Sequence, residues 1–292
     1  MDIFIGIDGG GTKTAVRIEN AAGDLLGESV AGPANIRLSV DDAWQSIYHG
    51  VTSVLKQHDL SLDQSHHRFH GGFGLAGIEI ESALHHFSSR THLFASVKIQ
   101  SDAHVACLGA HDNQDGAIII VGTGAVGYKI EKGKTERVSG WGFPHDDQGS
   151  GARIGLSAVE LTLQCLDKRI DTHSSMTENL FNSFDRDRKK LVAWANQATS
   201  SDFSTLARFV IEATNDPLAV SIMRDAAEAA DRMYHALTQL SDRDDLPCCL
   251  LGGLSSFVEP YISEPLRSCL KSKKHDAAVG AILMIRNQFL KG

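Results

Sequence analysis

Proline is scarce in this chain, 6 of 292 residues, and aromatic residues make up 7%. So little proline excludes collagen-like and polyproline architectures. No run approaches the roughly 18 apolar residues that a membrane-spanning helix needs. The first residues, Met1 to Asp8, carry no basic leader, and their apolar stretch is too short for a secretory signal. Positive charge is in deficit: 28 Lys and Arg face 36 Asp and Glu, a formal net charge of -8. The densest basic group, Lys271, Lys273 and Lys274, reads as a solvated turn. Neither a nucleic-acid nor a membrane partner is expected. The five cysteines, Cys107, Cys165, Cys248, Cys249 and Cys269, include no C-x-x-C pair. Their odd number and scatter predict reduced thiols in a cytoplasmic protein. Histidines are many, but they show no ligand spacing such as H-E-x-x-H.

What is present is the composition of a globular chain, 42% hydrophobic and 22% charged, long enough for two domains or one large one. The opening predicts a meander of strands over residues 3–8, 13–20 and 25–30, with a turn at Asn20 to Asp24. A helix is expected over 41–57, capped by Asp41, with Trp44, Ile47, Tyr48, Val51 and Leu55 at helical spacing. A β-α-β-α alternation follows over 69–76, 79–87, 93–100 and 103–111. The meander then repeats over 116–121, 125–131 and 134–139. Helices are expected over 152–166, 187–196, 203–213, 217–240 and 276–290, with one more strand over 246–251. The repeated meander predicts two similar domains. No low-complexity linker separates them, so the boundary must be a hinge inside packed structure.

Three glycine loops punctuate this pattern. Asp8-Gly9-Gly10-Gly11-Thr12-Lys13-Thr14 follows the first strand. Three consecutive glycines let the backbone approach a ligand, and their N–H groups, the Thr12 and Thr14 hydroxyls and the Lys13 ammonium suit phosphate oxygens. Asp8, at the strand's end, is placed to hold a magnesium ion through water. The loop is not a P-loop, because its lysine comes one place late and a strand follows instead of a helix. An ordinary glycine hairpin is the plainer reading. Gly122-Thr123-Gly124-Ala125-Val126-Gly127 matches G-x-G-x-x-G, yet a strand follows here too, which disfavours a dinucleotide site. It reads as a second phosphate hairpin. Gly252-Gly253 follows the last strand and is either a surface for a flat adenine or ribose or a plain strand-to-helix turn.

Taken together, these loops resemble the nucleotide-binding signature of the superfamily that unites actin, heat-shock chaperones and sugar kinases, over nearly the whole chain. Within it the sequence is similar to the BadF/BadG/BcrA/BcrD ATPase and N-acetylglucosamine kinase family. The residues that carry this are Ala34-Asn35, Ser101-Asp102-Ala103, Gly122-Thr123-Gly124, Gly140-Trp141-Gly142 and Asp147-Gln148-Gly149-Ser150-Gly151. Pro33-Ala34-Asn35-Ile36 and the run from Phe143 to Gly151 look nearest to bacterial glucosamine kinases. The sugar kinases of the ROK branch fit less well, since their zinc-binding cysteines and Glu-x-Gly-His motif are absent.

The resemblance implies an α/β fold of two ribonuclease-H-like domains with an interdomain cleft. Residues 1–110 plus 276–292 would form the N-terminal domain and 111–275 the C-terminal one. It implies ATP and Mg2+ as cofactors and phosphorylation of glucosamine or N-acetylglucosamine at the 6-hydroxyl; a homodimer is expected on the general frequency of two-fold assemblies alone. Asp102, after an apolar strand and before a helix, would be the general base; the competing reading is that it only caps that helix. Asp8, Gly9, Gly10, Gly11, Thr12, Lys13, Gly122, Thr123, Gly124, Gly252 and Gly253 would bind nucleotide, with Asp8 on the metal. Asn35, Asp102, Thr123, Gly140, Trp141 and Asp147 would bind sugar. Asp146 is a candidate second carboxylate for a glucosamine ammonium. One departure is Ala152-Arg153, where many N-acetylglucosamine kinases carry an aromatic pair. The alternative activity is an ATPase activator of the benzoyl-CoA reductase type, for which only Cys107 and Cys165 could serve an iron–sulfur cluster. A non-catalytic sugar sensor is a third reading, disfavoured by intact Asp8, Asp102 and glycine loops.

Overall fold

The computed structural model describes residues 1–64, 66–243 and 245–291. The chain divides into two compact units. One comprises Met1–Gly116, Ile130–Gly133 and Ser272–Gly292; the other comprises Ala117–Lys129 and Lys134–Lys271.

The first unit is built on β1 (Asp2–Gly9), β2 (Thr14–Asn20), β3 (Leu25–Ala31), β4 (Arg68–Leu75) and β5 (Ser96–Ser101), in the order β3-β2-β1-β4-β5. β1 pairs antiparallel with β2 and parallel with β4. Its central position explains why Ile3, Phe4, Ile5 and Ile7 are all buried, where a half-exposed strand would alternate. One face is covered by α1 (Val40–Leu55), with α2 (Glu81–Ser88) nearby; Trp44, Ile47, Val51 and Val54 join β1 and β2 in one core. The cap of α1 is Ser39, not Asp41: the Ser39 hydroxyl oxygen accepts Asp42 N–H at 3.1 Å, and Asp41 and Asp42 occupy the first turn. Acidic residues there favour the helix dipole without capping it.

The other face is covered by α3 (Asp102–Ala110) and the final helix, which is α12 once the helices of the second unit are counted (Ala277–Lys291). That helix lies very close to the sheet. A Cβ on Gly6 would fall 2.1 Å from the Ala278 carbonyl oxygen, and one on Gly72 2.0 Å from that of Ala281. The glycine richness of β4 is therefore a packing requirement at the sheet's centre.

A second sheet, which belongs to the second unit except for Gly116 and the last two residues of β7, repeats the order with β6 (Gly116–Val121), β7 (Ala125–Glu131), β8 (Lys134–Ser139) and β9 (Cys248–Leu251), arranged β8-β7-β6-β9, with β6 and β9 parallel. A fifth strand is reduced to one parallel bridge between Cys248 and Leu270, where Lys271 N–H donates to the Cys248 carbonyl at 2.8 Å. Around the sheet lie α4 (Gly151–Leu166), α5 (Ser175–Asn182), α6 (Arg188–Ala195), α7 (Ser200–Thr205), α8 (Ala207–Ile211), α9 (Pro217–Gln239), α10 (Ser255–Val258) and α11 (Glu264–Cys269). The helix expected over 203–213 is two short ones. Leu206 and Phe209 N–H each donate three residues back, to Phe203 and Leu206, tightening the join. Ile119, Ile154, Phe203, Ile222, Met223 and Tyr234 belong to the core that binds these elements.

Candidate active site

In the first unit the glycine loop joins β1 to β2. Gly10 N–H donates to the Lys13 carbonyl at 3.0 Å, which closes the turn and leaves Gly11, Thr12 and Lys13 exposed at its tip. The loop is anchored from below: Ala34 N–H reaches the Gly10 carbonyl at 3.0 Å, and Ala76 N–H reaches that of Gly9 at 2.8 Å. Thr14 is fully buried and its hydroxyl donates to the Gly32 carbonyl at 2.7 Å, so it serves the fold rather than the loop's surface. Asn35 stands beside this loop, with Oδ1 accepting Arg37 N–H at 3.1 Å.

Asp8 is the penultimate residue of β1, and its carboxyl is pushed up to about 6. Burial is the largest cause, and the charges of Asp102 and Asp276 add to it, against a lowering pull from Lys13. Asp102 opens α3 with its Oδ1 accepting Ala103 N–H at 2.8 Å. The cap proper is Ser101, whose hydroxyl oxygen accepts His104 N–H at 3.1 Å. His104 is held neutral, its pKa lowered to about 4 by burial and then by the Lys98 charge.

Asp276 is the residue that sequence reasoning missed. It looked like a helix start, and it does accept Val279 N–H at 2.9 Å at the head of α12. Its proximity to Asp8 follows only from the packing of that helix on β1. An excess of carboxylate charge around a partly buried Asp8 is a setting that a cation relieves. Magnesium needs only one or two protein carboxylates beside waters and phosphate oxygens, so Asp8 is the candidate ligand on the protein side.

In the second unit the Gly122-Thr123-Gly124 turn joins β6 to β7, closed by Gly122 N–H on the Gly124 carbonyl at 2.9 Å. The carbonyls of Gly122 and Thr123 accept N–H groups of Gly151 and Ala152 at 2.8 and 3.2 Å, so the turn is tied to the first residues of α4. Gly252 sits beside it with φ +96; a side chain there would meet the Val121 carbonyl oxygen at 2.2 Å. Leu254 N–H donates to that same carbonyl at 3.1 Å. Gly253 faces open space. The second and third glycine loops are thus neighbours through Val121.

Asp147 is buried in a left-handed conformation, φ 62, and its Oδ1 accepts Ala125 N–H at 3.3 Å. Its carboxyl is held above the usual range. Burial is the largest cause and Asp146 adds to it, while the Ala125 N–H, Arg137 and His145 oppose it. Gly140 (φ 79) and the 70% exposed Trp141 lie on the turn between β8 and Asp147. The structure therefore groups Asp8, the 9–13 loop, Asn35 and Asp102 in one unit, and Gly122–Gly124, Gly140, Trp141, Asp147, Gly252 and Gly253 in the other. No described helix is long and apolar enough to cross a membrane.

Two α/β units of one strand order, carrying three glycine loops and carboxylates at strand ends, define an actin-like ATPase fold. Comparison with known proteins narrows this. Residues 5–284 match the BadF/BadG/BcrA/BcrD ATPase family. A glucosamine kinase of Vibrio cholerae is 35% identical over 285 residues, covering 97% of this chain and 95% of the relative. An N-acetylmuramic acid/N-acetylglucosamine kinase of Clostridium acetobutylicum is 25% identical, with 99% of each chain covered. Among solved structures, a Chromobacterium violaceum protein described as an N-acetylglucosamine kinase superposes with TM-score 0.89 at 31% identity, covering 97% of this chain and 98% of its own. The chain belongs to the BadF/BadG/BcrA/BcrD ATPase family.

Proposed function

We propose that this chain is an ATP-dependent kinase of an amino sugar, glucosamine or N-acetylglucosamine, acting at the 6-hydroxyl with Asp102 as general base. The observation that carries this reading is 35% identity to a glucosamine kinase over nearly the whole length of the chain, together with Asp8 beside an exposed glycine loop and under the influence of the Asp102 charge. Magnesium-ATP, when bound, supplies the phosphoryl group and neutralises its charge. Asp8 would hold the metal; Gly9, Gly10, Gly11, Thr12, Lys13 and Gly122-Thr123-Gly124 would hold phosphates; Gly252 and Gly253 would face the adenosine. Asn35, Thr123, Gly140, Trp141 and Asp147 would grip the sugar, whose hydroxyls both donate and accept.

Asp102 takes the hydroxyl proton on its carboxylate, and the Ala103 N–H on Oδ1 fixes its orientation. A positioned base contributes roughly 10²- to 10⁴-fold. Domains of 1–110 plus 276–292 and of 111–275, and a cytoplasmic homodimer, complete the reading. For the activator alternative, Cys107 is poorly suited: it is fully buried and its Sγ donates to the Gly116 carbonyl at 3.4 Å.

The test is ADP release from magnesium-ATP with glucosamine, N-acetylglucosamine, glucose and mannosamine in parallel. Turnover that depends on an amino sugar is expected. Slow ATP hydrolysis indifferent to every sugar would overturn the kinase reading in favour of the activator.

A further inference from the structure

The turn from Ser139 to Asp147 is an improbable piece of backbone. Ser139, Gly140, Gly142 and Asp147 have φ of 62, 79, 105 and 62. Two of these are not glycine, and a left-handed conformation costs such residues free energy unless the surroundings impose it. The surroundings here are two side chains, one at each end. Arg137, on β8, donates from Nε to the Ser139 carbonyl at 3.2 Å and from its terminal nitrogen to the Gly140 carbonyl. Its guanidinium carbon also lies 5.1 Å from the centre of the Trp141 ring. Asp146 takes the Ser139 hydroxyl at 3.1 Å from each carboxylate oxygen and the Trp141 N–H at 2.9 Å on Oδ2. Its own N–H closes on the Gly142 carbonyl at 2.9 Å. A fork-shaped cation and a two-oxygen anion thus converge on the same three residues, Ser139 to Trp141.

We propose that Arg137 and Asp146 are positioning residues, which together hold the Ser139–Asp147 turn in the shape that presents Gly140, Trp141 and Asp147 to the sugar. Asp146, which the sequence suggested as a reader of the glucosamine ammonium, is instead spent on the turn. Both its oxygens already accept hydrogen bonds from the turn. Asp147, one residue on, faces the Gly124 backbone and takes the Ala125 N–H. The division of labour follows from alternate pointing of neighbouring side chains: Asp146 inward to the turn, Asp147 toward the glycine hairpin. The inference rests on the amino-sugar kinase reading above.

The experiment compares the parent with Asp146→Asn, Arg137→Met and Arg137→Lys on glucosamine and N-acetylglucosamine, and follows acrylamide quenching of tryptophan fluorescence without any substrate. Of the three tryptophans Trp141 is the exposed one, Trp44 is buried and Trp194 is half-buried, so a Trp141→Phe reference is needed to isolate its signal. A parent that phosphorylates neither sugar defeats the kinase reading; the quenching result then still judges the turn. The expected result is a rise in KM of tenfold or more for both sugars in parallel, kcat within threefold, KM for ATP unchanged, and Trp141 quenching altered in all three variants. Arg137→Lys restores little, because it loses the fork and the stacking plane. Loss confined to glucosamine in Asp146→Asn would overturn the proposal and make Asp146 a direct ligand of the ammonium. Unchanged KM and unchanged quenching would overturn it too. Should a variant fail to fold, Ser139→Ala removes the hydroxyl held by Asp146 and is read by the same two measurements.

Discussion

The hydroxyl oxygen of Ser101 accepts the His104 N–H at 3.1 Å, so the cap of α3 stands one residue ahead of Asp102. This separates two roles that the sequence leaves entangled, because Asp is itself a good cap. Asp102→Asn keeps an oxygen for the Ala103 N–H and leaves the Ser101 cap in place. It should therefore melt within about 2 °C of the parent, a shift of under about 1 kcal/mol for a chain of this size. Its kcat should fall roughly 10²- to 10⁴-fold if Asp102 is the base. Activity within tenfold of the parent would remove Asp102 from the chemistry.

The adjacent glycines 252 and 253 should respond differently to the same change. Gly252 has φ +96 and abuts the Val121 carbonyl oxygen, so Gly252→Ala is strained whatever the ligand does. A loss of about 1–3 kcal/mol is expected in thermal unfolding without nucleotide. A methyl group on Gly253 would meet nothing within 4 Å, so Gly253→Ala should fold like the parent. If adenosine lies against it, KM for ATP rises several-fold while KM for the sugar stays put. An unchanged KM for ATP would reduce this pair to a strand-to-helix turn.

Much of this was legible in the sequence because glycine and strand patterns are local. The two meanders, the three glycine loops and α9, with Pro217 in its first turn, fall where the residues predict them. Less legible was whatever depends on distant packing. Asp276 reads as a helix start, and only the approach of α12 to β1 sets its charge near Asp8. Arg137 and Asp146 look like a surface charge and a spare carboxylate until the turn between them closes. The short helices α10 and α11 escaped because 4 and 6 residues give too few turns for a periodic signal.

His104 gives the fold a specific acid sensitivity. Burial, then the Lys98 charge, lowers its pKa from 6.5 to about 4. The unfolded chain therefore binds a proton on this ring below pH 6.5 that the folded protein refuses until about 4. Stability should fall as pH drops through that window and be insensitive to this ring above it. Thermal unfolding of His104→Gln between pH 7.5 and 4.5 should show a shallower decline than the parent. Parallel declines would mean that other groups set the acid limit.

Asp216 should be the costliest single carboxylate to remove for stability alone. It is buried, and its Oδ1 accepts Leu218 and Ala219 N–H at 2.9 and 3.2 Å, capping α9. Its Oδ2 accepts Met176 N–H at 3.1 Å and the Ser175 hydroxyl at 3.2 Å, so the same group also fixes the start of α5. Burial raises its pKa, but the Met176 N–H, the Ser174 hydroxyl and the α9 N–H groups outweigh burial and hold it below 3.8. A depressed carboxyl contributes stability that is present above 3.8 and lost as pH falls below it, a window separate from that of His104. Asp216→Ala removes the cap and orphans buried donors, a loss of about 2–4 kcal/mol. Asp216→Asn keeps one oxygen for α9 and places an amide against the Met176 N–H, so it should lose an intermediate amount. Thermal unfolding of both variants at neutral pH decides the matter. An alanine variant that melts with the parent would show that α5 and α9 are held by their apolar faces alone.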